Sequence, residues 1–446
     1  MARSRTFAAA LTLVAFTAGP LGCGAPKNRD HGRTDPIAIV DPGGGGDPGG
    51  GSGSAIEIEI KHTQRSAKAI STTVDKGLTW LAKHQLGGGG WGQGDESAGM
   101  GDGMAGMRDA ANVADTSMAL LAFMRAGHKP NKGAHRDVVQ KGLEYVLSEV
   151  ENADQDSLFV SSVRGTRVQG KIGPYADTFA ALMALSEARG AMRDGPANAR
   201  LDKLLNKVVK KIEKNQRQDG TWDGAGWAPV LSQALAAKGM NRAAQNGIEV
   251  SEVVLDRLED QAHSQVNLQT NTFAADSAAG VGLYGGAAAT AASRDTATTR
   301  KAKAETMKAK AAKGGGGNEH KSPDAPTKAE VAAAEARADV SGKAAARVEG
   351  ALIANLSNDS FISGFGNNGG EEFLSYMMIS ESLVAKGGDE WARWDAQITT
   401  LVNKVQNEDG SWTGHHCITG RTFCTAAALL VLMGDRTPAP ELAIAG

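Results

Sequence analysis

A short segment near the end of the chain concentrates residue types that serve metal and thiol chemistry. His415, His416 and Cys417 are consecutive, and Cys424 follows a few residues later. Thiolate and imidazole groups are good zinc donors, so these four side chains are the candidate metal ligands. Their spacing is not that of a standard zinc motif. A disulfide between Cys417 and Cys424 is the second interpretation, and it is favoured if the protein is exported to an oxidising compartment. Two buried free thiols are the third.

Acidic residues stand at the starts of several predicted helices, where they could donate or accept protons. The candidate catalytic residues are Asp115, Asp177, Asp276, Glu371, Glu372 and His416. At a helix start, an acidic side chain can also simply accept hydrogen bonds from unpaired backbone N–H groups. The sequence thus leaves two interpretations open: helix caps without chemistry, or a ring of acids around the mouth of a cavity.

Three segments share the pattern Gln-x-x-x-Gly-x-Trp, which organises the rest of the chain. The copies are Gln85, Gly89 and Trp91; Gln216, Gly220 and Trp222; and Gln406, Gly410 and Trp412. A Gln can satisfy backbone groups at a helix end, a Gly permits a tight turn, and a Trp covers a large apolar area. These roles are structural, so the repeat predicts fold and not activity.

Each copy lies between two predicted helices, whose apolar residues recur every three or four positions. Weaker copies fill the gaps, for example Asn355 and Phe361 at the spacing of the Gln and the Trp. The total is about six helical hairpins, which predicts an all-α fold. Residues 55–292 form the first part of this domain and residues 342–436 the last part, followed by a tail at 437–446.

Residues 293–341 interrupt the repeats as a low-complexity insertion rich in Ala, Lys, Thr and Gly. Their low apolar content predicts disorder or a fraying helix. A mild positive excess could contact anionic lipid or a cell-wall polymer, although a solvated loop is the simpler interpretation.

The Gln-x-x-x-Gly-x-Trp elements resemble the QW motifs of squalene-hopene cyclases and of the wider prenyltransferase/squalene oxidase repeat class. The resemblance covers about residues 66–434, apart from the insertion. It implies an α/α toroid, a terpenoid cyclase-like ring in which inner helices surround an axis and outer helices surround them. The inner helices are then expected to start near one mouth of a central cavity.

The same resemblance argues against the best-known chemistry of the class. The Asp-x-Asp-Asp motif of squalene-type cyclases is missing, and the inner helices carry few aromatic rings to stabilise carbocations. Those rings are Phe123, Phe179, Tyr284, Phe373, Tyr376 and Phe423. Protein prenyltransferase β-subunits bind zinc through Asp, Cys and His, but that set has no clear counterpart here. The thioester motif Cys-Gly-Glu-Gln of complement-like toroids is also missing, although Glu371 and Glu372 occupy a comparable helix start.

The first residues resemble an export signal. Residues 1–22 combine early arginines with an apolar run that is typical of a signal peptide. Cys23 follows a Gly, as in a bacterial lipobox, so lipidation is predicted there, with ordinary secretion as the alternative. Residues 23–54 are rich in Gly, Asp and Pro and predict a flexible tether. The resemblance implies a lipoprotein of the outer membrane that faces the periplasm or the surface.

The whole chain of 446 residues has a formal net charge of −2, so nucleic acid is not an expected partner. No cofactor is expected. The favoured function is a lipid-anchored binding or scaffold module whose central cavity holds an elongated apolar, peptide or glycan ligand. The alternative is an enzyme, terpenoid cyclase-like, prenyltransferase-like or a lyase, that uses the acids at the inner-helix starts.

Overall fold

The computed structural model describes residues 67–96, 105–222, 226–313 and 325–438. Within these residues the fold is all-α, as predicted, with one small strand pair, β1 (Val266–Asn267) and β2 (Thr272–Phe273). The predicted signal peptide, Cys23 and the tether lie outside the described residues. No described helix is both long and apolar enough to cross a bilayer.

The helices, in chain order, are α1 (Thr72–Lys83), α2 (Val113–Arg125), α3 (Arg136–Asn152), α4 (Arg167–Ile172), α5 (Ala176–Ala188), α6 (Gly195–Asn215), α7 (Pro229–Gln245), α8 (Glu252–Ser264), α9 (Gly282–Lys313), α10 (Lys328–Asn355), α11 (Asp359–Ile362), α12 (Gly370–Lys386), α13 (Gly388–Lys404) and α14 (Arg421–Leu432).

Within the described part, six helices contact one another in a closed cycle. Helix α2 packs against α5, α5 against α7, α7 against α9, α9 against α12, α12 against α14, and α14 returns to α2. Every residue of α2 and α5 is buried, as is nearly every residue of α12 and α14. Helices α1, α3, α6, α8 and α13 bury only one apolar stripe, which packs against members of the cycle.

The tryptophans of the three repeats make the same contact at equivalent places. Each indole N–H donates to a carbonyl in the preceding helix: Trp91 to Leu81 at 2.8 Å, Trp222 to Ile212 at 3.1 Å, and Trp412 to Val402 at 2.8 Å. A buried indole needs such an acceptor because its unpaired N–H would be costly. The repeated Trp therefore orients the turn on the helix before it.

The glutamines of the repeats join one helical hairpin to the next. Each amide donates to the carbonyl of its own Gly and to one at the start of another helix: Gln85 to Gly89 and Val138, Gln216 to Gly220 and Val254, and Gln406 to Gly410 and Thr73. These second acceptors lie in the first turns of α3, α8 and α1, respectively. Because Gln406 reaches α1, the last repeat is joined to the first.

The predicted insertion is where the structure departs most from the sequence analysis. Helix α9 continues through residue 293 to Lys313, and α10 begins at Lys328 and packs along it. Small and polar side chains fill this contact, and the buried Arg300 guanidinium pairs with Glu259 and Asp256. Of the two expectations, disorder or a fraying helix, residues 293–313 and 328–341 fit a helix, because ion pairs and alanines replace large apolar residues here.

Candidate metal centre

The start of α12 is tied to the segment before α14 by two hydrogen bonds. The Gly370 N–H donates to the Ile418 carbonyl at 2.9 Å, and the Ile418 N–H donates to Glu371 Oε2 at 3.1 Å. Glu371 lies in the first turn of α12 and is 1% exposed. This pairing directs the second carboxylate oxygen, Oε1, toward the residues just before Ile418.

His416 and Cys417 face that carboxylate. The distance from Glu371 Oε1 to His416 Nδ1 is 3.8 Å, and Cys417 Sγ lies 2.8 Å from the same nitrogen. Cys417 has a φ of +49°, in the left-handed region that non-glycine residues seldom adopt. The carboxylate, imidazole and thiol donor atoms all lie within 4.8 Å of one another, so they could hold one metal ion.

The geometry of this trio fits metal binding better than a proton relay. In a thiol–imidazole–carboxylate relay, the two partners bind opposite ring nitrogens. Here Cys417 Sγ is 2.8 Å from Nδ1 but 4.0 Å from Nε2, and Glu371 also faces Nδ1. Tetrahedral zinc ligands lie about 3.3–3.6 Å apart, given metal–ligand distances of about 2.0–2.3 Å. The observed 2.8 and 3.8 Å bracket that value.

The pKa of His416 reflects the carboxylate beside it. The neighbouring Glu371 carboxylate raises the pKa of His416 above its ordinary value. Since a metal ion binds the neutral imidazole, metal and proton compete for His416. Glu371 Oε1 has no hydrogen bond of good geometry among the described residues, so a cation would satisfy it.

Glu372 has a different role from its neighbour. Its carboxylate accepts hydrogen bonds from the backbone N–H of Gly369 and, at 3.0 Å, of Phe365. It therefore caps α12, which confirms the capping interpretation for this residue, although the side chain is buried rather than solvated. Burial and then the Glu371 charge raise the pKa of Glu372 to about 7.

The predicted Cys417–Cys424 disulfide is not formed in the structure. In the structure both residues are buried thiols. The Cys424 thiol donates to the Ile418 carbonyl at 3.4 Å, whereas Cys417 Sγ packs against His416. Of the four predicted ligands, the structure brings His416 and Cys417 together with Glu371, whereas His415 is exposed and Cys424 lies outside this group.

Asp115 and Asp177 lie in the first turns of α2 and α5. Neither is the helix cap, since Asn112 caps α2 and accepts from the Asp115 N–H at 2.9 Å. Burial raises the pKa of Asp115 to about 7 and that of Asp177 to about 6. The charge of Asp177 also raises the pKa of Asp115. The two carboxyl groups interact electrostatically, and neither belongs to the metal trio. The third candidate, Asp276, is exposed on a separate turn before α9.

An aromatic wall adjoins the metal trio, and sequence reasoning missed it. The Trp227 and Phe365 rings stack with centroids 5.1 Å apart, and Phe365 stacks on His416 at 4.8 Å. Lys171 Nζ lies 5.9 Å from the Trp227 ring, and Tyr284 lies 6.3 Å from Phe365. Trp227 and Phe365 belong to loops outside the repeat pattern, so no spacing signal marks them.

Buried ion pairs connect helices across the cycle. Arg125 of α2 pairs with Glu187 of α5 at 2.7 Å and with Glu381 of α12 at 2.6 Å. Lys238 of α7 pairs with the same Glu381 at 2.5 Å and with Asp295 of α9 at 2.9 Å. Burial alone would raise the pKa of Glu381, but Arg125 and Lys238 hold it near 2. Charged side chains therefore lie between helices α2, α5, α7, α9 and α12.

Comparison with known proteins identifies no family: no protein-family model matches the chain, and no curated protein matches it.

Proposed function

We propose that this chain is a metalloprotein in which Glu371, His416 and Cys417 bind one zinc-like ion. The observation that carries the proposal is the convergence of a buried carboxylate, an imidazole and a thiol whose donor atoms lie within 4.8 Å. Three protein ligands with an open fourth position are typical of zinc sites that bind an exchangeable group. The ion would supply Lewis acidity to that group.

The proposed scaffold is an α/α toroid of the prenyltransferase/squalene oxidase repeat type. The closed cycle of helix contacts and the equivalent bonds of the three repeats support it. The bond from Gln406 to Thr73 is the strongest support, because a ring needs its last repeat to meet its first.

We place the ligand beside the metal rather than in a central cavity. The ion pairs of Arg125, Lys238 and Glu381 argue against a continuous apolar tunnel. By contrast, Phe365 is 37% exposed and stacks on His416, so it offers an aromatic surface at the metal. An apolar, peptide or glycan ligand can pack on such a surface.

Export and lipid anchoring remain part of the proposal. They rest on the signal-like residues 1–22 and on Cys23 after Gly22. Intact mass spectrometry of the full chain from membranes of a bacterial host tests them. We expect loss of the first 22 residues and a mass increase from acyl groups, both abolished by Cys23→Ser. A chain of unprocessed mass would contradict the assignment.

Cobalt substitution tests the metal centre directly. Co²⁺ added to the purified full chain is expected to give the sulfur-to-metal charge-transfer band of thiolate ligation. Cys417→Ser should remove this band, and Glu371→Gln and His416→Ala should each weaken Co²⁺ binding beyond the ~10–100-fold that is typical of losing an outer-shell partner.

His415→Ala is the matched control, because His415 is adjacent in sequence but exposed. It should bind Co²⁺ as the wild type does. A wild-type protein without the charge-transfer band, or equal loss of binding in His415→Ala and His416→Ala, would overturn the proposed metal centre.

A further inference from the structure

Tyr284 is a buried residue near the metal trio, and its hydroxyl has no evident structural role. It lies in the first turn of α9 and is 0% exposed. Its ring is 6.3 Å from Phe365, whose own ring is 4.8 Å from His416. The phenol therefore borders the same aromatic wall that flanks the metal ligands.

The Tyr284 hydroxyl is a hydrogen-bond donor without a well-formed acceptor. No partner of good geometry exists for it among the described residues. Burial, followed by the charges of Glu371, Glu372 and Cys417, raises the pKa of Tyr284 far above its ordinary range. The group therefore stays protonated, and its hydroxyl is close enough to these three side chains to feel their charge.

The nearest protein acceptor does not satisfy this hydroxyl. The Glu372 carboxylate is close enough to the hydroxyl to raise the pKa of Tyr284 as a hydrogen-bond partner. The contact does not have good hydrogen-bond geometry, however, and each Glu372 oxygen already accepts from a backbone N–H, of Gly369 or of Phe365. A buried polar group without a partner is rare, and an external ligand is one of its ordinary explanations.

We propose that the Tyr284 hydroxyl donates a hydrogen bond to an oxygen ligand, water or a carboxylate, in the open position of the metal. The inference rests on the proposed metal centre at Glu371, His416 and Cys417. Tyr284 is then a positioning residue that selects oxygen ligands. It contributes from a third element, α9, while the ligands themselves come from α12 and the segment before α14.

Acetate binding to the cobalt protein tests the inference. Acetate should perturb the visible cobalt bands of the wild-type full chain. Tyr284→Phe should weaken acetate binding about ten-fold or more, because a hydrogen bond to a charged group is lost. The sulfur-to-cobalt charge-transfer band should be retained, because the three metal ligands are intact. The melting temperature of the metal-free protein should change little, since the removed hydroxyl has no protein partner of good geometry among the described residues.

Tyr376→Phe is the matched control. Tyr376 is also fully buried near Glu372, but its hydroxyl donates to the Ile362 carbonyl at 2.9 Å. This variant should melt at a lower temperature and bind acetate as the wild type does.

The outcomes separate the two proposals. A wild-type chain that gives no cobalt–thiolate band refutes the metal centre. A normal cobalt band with equal acetate binding in wild type and Tyr284→Phe refutes only the role of Tyr284. A strongly destabilised Tyr284→Phe protein would also refute it, because the hydroxyl would then have a structural partner.

Discussion

Gln406 and Thr73 are 333 positions apart, yet Gln406 Nε2 donates to the Thr73 carbonyl at 2.9 Å. The same amide donates to the Gly410 carbonyl at 2.9 Å. One side chain thus holds its own turn and joins the last helical hairpin to α1. The equivalent bonds of Gln216 measure 3.3 and 3.4 Å and join neighbours that are close in sequence.

This difference predicts unequal effects of removing the two glutamines. We expect Gln406→Ala to lower the free energy of unfolding by about 1–3 kcal/mol, since two part-buried carbonyls lose their donor. Gln216→Ala should cost less, because its bonds are longer. Urea denaturation of both variants measures the difference. Equal effects would show that closure of the cycle does not depend on Gln406.

The turn glycines should be far less replaceable than their neighbours. Gly89 has a φ of +89°, and a Cβ there would collide with the Lys141 carbonyl. Gly87, two positions earlier, has no described atom within 4 Å of a Cβ. We expect Gly89→Ala to destabilise the fold by at least about 2 kcal/mol, from left-handed strain and the collision. Gly87→Ala should leave the melting temperature nearly unchanged, and a similar loss in both variants would contradict the assigned turn.

The buried ion pairs predict acid sensitivity. Glu381 has a folded-state pKa near 2, below its ordinary 4.5, so its stabilising contribution is present above pH 4.5 and is lost as pH falls toward 2. Glu381→Gln should cost about 3–5 kcal/mol at neutral pH, because Arg125 and Lys238 lose their shared partner. The loss should shrink on acidification, which denaturation at pH 7 and pH 3 would measure.

The control for that experiment is Glu390→Gln, which removes a partly exposed partner of Lys386 where α12 passes into α13. Its effect on the melting temperature should be negligible, because solvent screens such pairs. If both variants lost the same stability, the ion pairs across the cycle would have no special role.

Asp115 predicts the opposite pH dependence. Its folded-state pKa is about 7, above its ordinary 3.8, so the folded state binds the proton more tightly than the unfolded state. Stability attributable to Asp115 is therefore highest below pH 3.8 and falls as pH rises toward 7. Asp115→Asn removes this dependence. Relative to wild type, its free energy of unfolding should gain about 2–3 kcal/mol between pH 5 and pH 7. A constant difference would disprove the raised pKa.

The backbone at Cys417 offers a test of ligand function against strain. Its φ of +49° suits glycine, so Cys417→Gly should be more stable than Cys417→Ala by about 1 kcal/mol. Both variants should lose cobalt binding equally, because both lack the thiol. Thermal melts and cobalt titrations of the two variants separate the two effects. Cobalt binding as tight as that of the wild type in either variant would exclude Cys417 as a ligand.

Local sequence was sufficient to predict the all-α fold, most helices and the equivalent corners of the repeat. Helical periodicity and the spacing of Gln85, Gly89 and Trp91 are short-range signals, and the contacts they make are largely short-range too. Helices α9 and α10 were harder to predict from the sequence. Their Ala, Thr and Arg residues are typical of a solvated segment, because the ion pair that buries Arg300, with Glu259, forms only in the folded chain.

Only the tertiary structure decided which chemical groups meet. No sequence pattern linked Glu371 to His416, and the sequence favoured a disulfide between Cys417 and Cys424. The hydrogen bonds of the Ile418 peptide, one to Gly370 and one to Glu371, bring the carboxylate to the imidazole and the thiol. Long-range pairing of this kind depends on how helices pack around the cycle. Packing is a property of the whole chain, so no local pattern of residues encodes it.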